Sequence, residues 1–168
     1  MQNGKWIKAV SERKTKINNS KKQKEREEMF FDDLIELPER PRLLAPEVMA
    51  YVGDGIYELF IRNLVLERKL GKGQALHEGT VKYVNASAQA KLLAEIRDEL
   101  TKDEESIVRR GRNCDVNIPN NANPSEYCHS TGFEALLGYL YLEENEERLL
   151  ALLQIIKEIL DQGELECN

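Results

Sequence analysis

From Leu43 to Leu160 the apolar residues recur at the three- and four-residue spacing of helices, and no segment alternates with the period of two that marks a half-buried strand. The pattern predicts six helices in sequence and an all-α class. Pro46 suits the first position of the first helix, because the backbone N–H it lacks would have no partner there. That helix is expected to run to about Leu70, with Gly71 ending it. A second covers about Gln74–Tyr83 and a third about Ala86–Leu100. Thr101 and Glu104 have capping-box spacing and open a fourth that reaches about Arg110. Residues 112–127 are rich in Asn and Pro and are expected to form a loop, of a length that usually carries function in a compact domain. A fifth helix spans about Ser130–Leu142 and a sixth about Glu146–Leu160. No internal repeat is present.

The first helix carries the most information. Glu47, Asp54 and Glu58 stand at i, i+7 and i+11, which places them on one narrow stripe with Tyr51 between them. Val48, Val52, Ile56 and Leu59 occupy another face, and Met49, Phe60 and Leu64 extend it. So much of the circumference is apolar that one small domain has more than it can bury, and a two-fold interface between copies would cover the excess. Gly53 and Gly55 flank Asp54, each costing the helix up to about 1 kcal/mol. Close helix packing, or a ligand approaching bare backbone, would offset that cost. In the fifth helix Glu134 lies between Phe133 and Ala135-Leu136-Leu137. Thr131 and Glu134 also fit a capping box. A lone buried carboxylate is costly and oxygen ligands suit magnesium, so two acids on two mostly apolar helices suggest a shared metal site.

Charge complicates a nucleic-acid reading. The net charge is −6, and residues 1–28 contribute +5 to it, which leaves −11 on residues 29–168. An acidic body excludes binding by bulk electrostatics, so any nucleic-acid contact must come from local basic patches or bound cations. The Lys-rich segment 1–28 reads as a loosely ordered tail or as an RNA-touching arm. Residues 29–42 read as a linker, broken by Pro38 and Pro41 and anchored by Phe30 and Phe31. The chain thus divides into an extension and linker (1–42), a helical domain (43–160) and a short tail (161–168). The N-terminus lacks the apolar stretch of a secretory signal, and no apolar run is long enough to span a bilayer. The three cysteines, Cys114, Cys128 and Cys167, lack paired spacing, and a reducing cytoplasm is expected.

Two strings sharpen this picture. Ala50-Tyr51-Val52-Gly53-Asp54-Gly55 and Ser130-Thr131-Gly132-Phe133-Glu134-Ala135-Leu136-Leu137-Gly138 resemble the two signatures of the ribonuclease III catalytic domain. The intervening LHEGTVKYVNASAQAKLL and VRRGRN look like the same family, and the resemblance extends over about Leu43–Leu160. It is strongest to the short Mini-ribonuclease III form, which lacks a separate double-stranded-RNA-binding domain. The resemblance implies a homodimeric all-α endonuclease domain that hydrolyses phosphodiesters of duplex RNA with Mg²⁺. By the same resemblance the substrate is a ribosomal RNA precursor, of the large-subunit RNA. Asp54 and Glu134 match metal-binding acids of the catalytic centre, and Glu47 matches a family glutamate near the dimer interface and cleavage valley. Ala50 stands where the larger enzymes have a metal-site glutamate, and Thr131 where they have an aspartate. A non-catalytic duplex-RNA binder or ribosome-assembly factor on the same fold is the alternative reading.

The remaining signals are weaker. Arg109, Arg110, Arg112 and Asn113 suit phosphate and 2′-hydroxyl contacts on RNA, although cations at a helix C-terminus are favourable without any function. His77 reads as a surface residue. Tyr139 and Tyr141 read as core or dimer contacts. Cys114, Cys128 and His129 lack the spacing of a zinc site.

Overall fold

A computed structural model describes residues 40–68, 72–115 and 117–163, and among these it contains helices and no strand. The helices are α1 (Pro46–Glu67), α2 (Gln74–Val84), α3 (Ala86–Glu95), α4 (Lys102–Arg112), α5 (Pro124–Leu142) and α6 (Glu146–Gln162). Short 3-10 turns cover Pro41–Leu43 and Arg97–Glu99. The all-α expectation holds. Phe30, Phe31 and the basic arm lie outside the described residues, as do Leu70 and Gly71.

Three boundaries differ from the sequence reading. The first helix ends at Glu67, with Arg68 as its C-cap, rather than at about Leu70. The fifth helix begins at Pro124 rather than Ser130, because Asn123 caps it: the Asn123 side chain accepts from the Ser125 backbone N–H at 2.9 Å, and Pro124 takes the first position. The Asn- and Pro-rich composition that suggested a loop up to residue 127 therefore includes the start signal of a helix. The third helix ends at Glu95, not Leu100. Ile96 is fully buried at its C-cap, and the chain continues as the Arg97–Glu99 turn. The capping box is present as expected: Glu104 accepts from the Thr101 N–H at 2.8 Å, and the Thr101 hydroxyl accepts from the Glu104 N–H. Glu104 is buried and also receives the Arg148 guanidinium at 2.8 Å, which ties α6 to the start of α4.

Helix α5 forms the centre. It is largely buried from Ser130 to Leu140 and packs most extensively on α1, then on α4 and α3. Its Phe133, Leu136, Leu137 and Leu140 meet Tyr57 and Ile61 of α1, Leu92 of α3, and Leu152 and Ile156 of α6. The rings of Tyr57 and Phe133 meet edge to face at 5.0 Å, and the Tyr57 hydroxyl donates to the Tyr83 carbonyl at 3.1 Å.

The apolar circumference of α1 splits into two faces. Met49, Gly53, Tyr57, Ile61 and Leu64 turn inward. Val48, Tyr51, Leu59 and Leu66 turn outward, Tyr51 and Leu59 being 83% and 63% exposed. The acidic stripe runs between these faces.

Candidate active site

Glycine brings the two acids together. Where α1 crosses α5, a Cβ on Gly53 would sit 1.8 Å from the Glu134 carbonyl oxygen, and one on Gly138 would sit 1.9 Å from the Met49 carbonyl oxygen. No side chain fits between the helices at either point. Gly55 meets nothing within 4 Å, so the two glycines beside Asp54 differ in role: Gly53 is required by packing within the chain and Gly55 is not.

Asp54 and Glu134 border the crossing and open into one cleft of about 430 Å³. Glu47 and Tyr51 of α1 and Tyr127 and Thr131 of α5 also line it. Three carboxylates thus face a cleft whose lining includes no basic side chain. The electrostatic consequence falls on Glu134. Burial, and secondarily the Asp54 charge, push its carboxyl up to about 7. Asp54 is also raised, by burial and then by Glu58. Glu58, the third member of the sequence stripe, instead accepts from Arg62 at 3.1 Å. Ala50 is buried against the cleft where the larger enzymes place an acid. Thr131, at the other such position, is buried inside α5 and donates its hydroxyl to the Tyr127 carbonyl at 3.0 Å. It therefore caps nothing, and the capping-box alternative for Thr131 and Glu134 is overturned by the earlier start of the helix.

One residue of the site was missed. Gln89 of α3 is 1% exposed, donates its Nε2 to the Val84 carbonyl at 3.1 Å, and its amide opposes the rise of the Glu134 pKa. Its Oε1 is buried without a partner. The available signal was its register: Gln89 shares the inward face of α3 with Ala88, Leu92 and Leu93, where an amide is out of place unless it has a polar partner.

The donor set fits a hard divalent cation. The Asp54 charge raises the Glu134 pKa with no basic side chain in the lining to compensate, and a cation there would supply the missing positive charge. Among the described residues no three His, Cys, Asp or Glu side chains form a ready metal cluster. Mg²⁺ suits such a place because it keeps several waters and needs few protein ligands. The Cys114, Cys128 and His129 group forms no such cluster either.

The arginine cluster divides. Arg110 donates to the Arg42 and Leu44 carbonyls, each at 2.8 Å, and fastens the segment before α1 to α4. Arg109 and Arg112 are exposed and line a separate groove. Asn113 forms the C-cap of α4, its N–H bonding to the Arg109 carbonyl at 3.2 Å. His77 is exposed and lies outside the carboxylate cleft. Tyr139 is partly buried against the core.

Comparison with known proteins points the same way. The ribonuclease III domain matches residues 47–145. A Mini-ribonuclease 3 of Symbiobacterium thermophilum is 44% identical over 125 residues, which is 74% of this chain and 96% of that protein. A Mini-ribonuclease 3 of Thermoanaerobacter is 43% identical over 120 residues, covering 71% of this chain and 84% of that one. A crystal structure of a Fusobacterium nucleatum protein superposes with a TM-score of 0.62 at 29% identity, over 74% of this chain and 97% of that chain.

Proposed function

The chain belongs to the ribonuclease III family, and on that premise we propose that it is a Mg²⁺-dependent endoribonuclease that cuts double-stranded RNA. The observation that carries this reading is the pair Asp54 and Glu134, facing each other across a cleft without cations at a helix crossing that only glycines permit. Asp54 and Glu134 are the proposed metal ligands, and Glu47 the third catalytic acid. When bound, Mg²⁺ would make a water acidic enough to act as nucleophile and would offset the charge that develops on the scissile phosphate. The residues of this chain do the rest. The carboxylates would hold the cation and keep the cleft acidic, and the Gln89 amide favours the charged form of Glu134. The positions held by Ala50 and Thr131 leave fewer acids than the larger enzymes have, so water fills more of the cation's shell.

The RNA contacts we propose are Arg109, Arg112 and Asn113. Arg110, with both terminal nitrogens on backbone carbonyls, supports them from behind. As the family resemblance implies, the substrate is a duplex stem of ribosomal RNA precursor, processed in the cytoplasm. No helix among the described residues is long and apolar enough to cross a membrane. The outward stripe of Val48, Tyr51, Leu59 and Leu66 supports a symmetric homodimer joined along α1. The acidic stripe borders that face, so such a dimer sets its two clefts on either side of the interface.

A cleavage assay on duplex RNA with Mg²⁺ tests the reading. Asp54→Asn is expected to lose cleavage by orders of magnitude while retaining RNA binding. Near-normal cutting by that variant at saturating Mg²⁺ would refute the site, and binding without cutting by the unaltered protein would make it a non-catalytic RNA-binding factor.

A further inference from the structure

We propose that the groove between α3, the Arg97–Glu99 turn, α4 and the first turns of α5 is a second RNA-contact site, taking backbone phosphates away from the carboxylate cleft. This rests on the duplex-RNA reading above and deepens it: Arg109 and Arg112, its RNA contacts, share one groove with Arg97 and His129. The groove measures about 370 Å³, room for a phosphate and its neighbouring sugar. Leu93, Leu100 and Val108 form its floor, and Arg97, Arg109, Arg112 and His129 line it. Glu105 is the one acid among its lining residues.

Other arginines of the domain are engaged elsewhere. Arg42, Arg62, Arg68 and Arg148 each pair with a carboxylate, and Arg110 holds two carbonyls. Arg97, Arg109 and Arg112 come from two elements to one groove, and among the described residues none has an ion pair or a side-chain hydrogen bond. In a body that carries −11 over residues 29–168, carboxylate partners are plentiful. Three guanidiniums held together without them repel one another, and a phosphate anion relieves that repulsion with bidentate bonds. Helix-dipole complementarity explains Arg109 and Arg112 at the end of α4, but not Arg97, which lies outside that helix. His129 adds a fourth group. Its Nδ1 lies 2.6 Å from the Ser125 carbonyl and donates to it, which leaves Nε2 free.

The groove also stands in a useful place. His129 and Glu134 lie about 140° apart around α5, so the two sites flank one helix, roughly 10 Å in diameter. The groove would supply phosphate contacts from the catalytic domain itself.

The test uses the full chain carrying Glu134→Gln, so that RNA is bound and not cut. Duplex-RNA affinity is measured by anisotropy across a salt series, with and without Arg97→Gln, Arg109→Gln and Arg112→Gln together. The triple variant is expected to bind about tenfold or more weakly at physiological salt, with the log–log salt slope reduced by about 2 to 3. Glu105→Gln is expected to tighten binding. Among the described residues the substituted arginines have no ion pair or side-chain hydrogen bond to lose, so thermal melting should stay within a few degrees of the parent. A second arm titrates inorganic phosphate against the His129 ring resonances. Unchanged RNA affinity and slope in the triple variant overturn the proposal. If phosphate still moves the His129 signals in the parent, the groove is a free-anion site instead. Absence of RNA binding by the parent removes the functional reading as well, so the two failures are distinct.

Discussion

Replacing Glu134 by Gln should make the metal-free protein more stable while abolishing its activity. The Glu134 carboxyl ionises near 7 in the fold, against an ordinary 4.5, because it is partly buried and faces Asp54. The folded state therefore holds this proton more tightly than the unfolded chain does. The sign follows: nothing is lost below the unfolded pKa, and stability falls as pH rises from about 4.5 to about 7. At 1.36 kcal/mol per pH unit, and allowing for water at the open cleft, the loss at pH 8 is about 2 to 3 kcal/mol. Gln is close to Glu in size and carries no charge at any pH, so it removes the loss. Urea unfolding in chelator should show Glu134→Gln above the parent by that amount at pH 8, with the gap closing to a few tenths at pH 4.5. Mg²⁺ at a hundred times its Kd should return about 2.7 kcal/mol to the parent. It should add little to the variant. A variant less stable than the parent at pH 8, or a gap that does not change with pH, would refute the placement of charge in the cleft.

Other outcomes follow from the same contacts. Gly53→Ala and Gly138→Ala each place a Cβ within 2 Å of a carbonyl oxygen on the facing helix; each should cost about 3 kcal/mol or more by urea unfolding, and cleavage should fall as Asp54 and Glu134 move apart. Gln89→Leu roughly preserves volume and removes the amide that opposes the rise of the Glu134 pKa. It should raise the Mg²⁺ concentration for half-maximal cleavage severalfold, with a loss of about 1 kcal/mol of stability, because the Val84 carbonyl loses its donor while the buried Oε1 had no partner to lose. Leu59→Glu places a charge on the outward face of α1. It should yield a monomer in sedimentation with unchanged helicity, and a dimer of unaltered affinity would place the interface elsewhere.

The helices were legible because their signals are local. Pro46, the Thr101–Glu104 capping box and the apolar spacing act within a few residues, and the structure places these elements where the pattern puts them. The errors were local too. Asn123-Pro124 is a start signal inside a stretch whose composition says loop, and Ile96 turns the chain although the apolar pattern continues past it. For the site, the stripe of Glu47, Asp54 and Glu58 was legible as a stripe, since helical geometry alone sets it. Which of its members reach the cleft was not. Arg62 takes Glu58, one turn away, while Asp54 and Glu47 line the cleft with Glu134.

The sequence by itself determined the helical class, the acids and the glycines beside them, because each depends on residue type and on spacing along one chain. The tertiary structure decided which glycine matters. Gly53 and Gly55 look alike in sequence, and only the crossing of α1 with α5 makes one indispensable to packing. It likewise decided the charge state of Glu134, since a pKa depends on burial and on charges brought near by folding. The arginines follow the same rule. Three in four positions look equivalent along α4, but helical rotation sends Arg110 to backbone carbonyls and leaves Arg109 and Arg112 in a groove with Arg97, twelve residues before Arg109 in sequence. Composition and periodicity act along the chain, whereas a site is made of groups that meet across it.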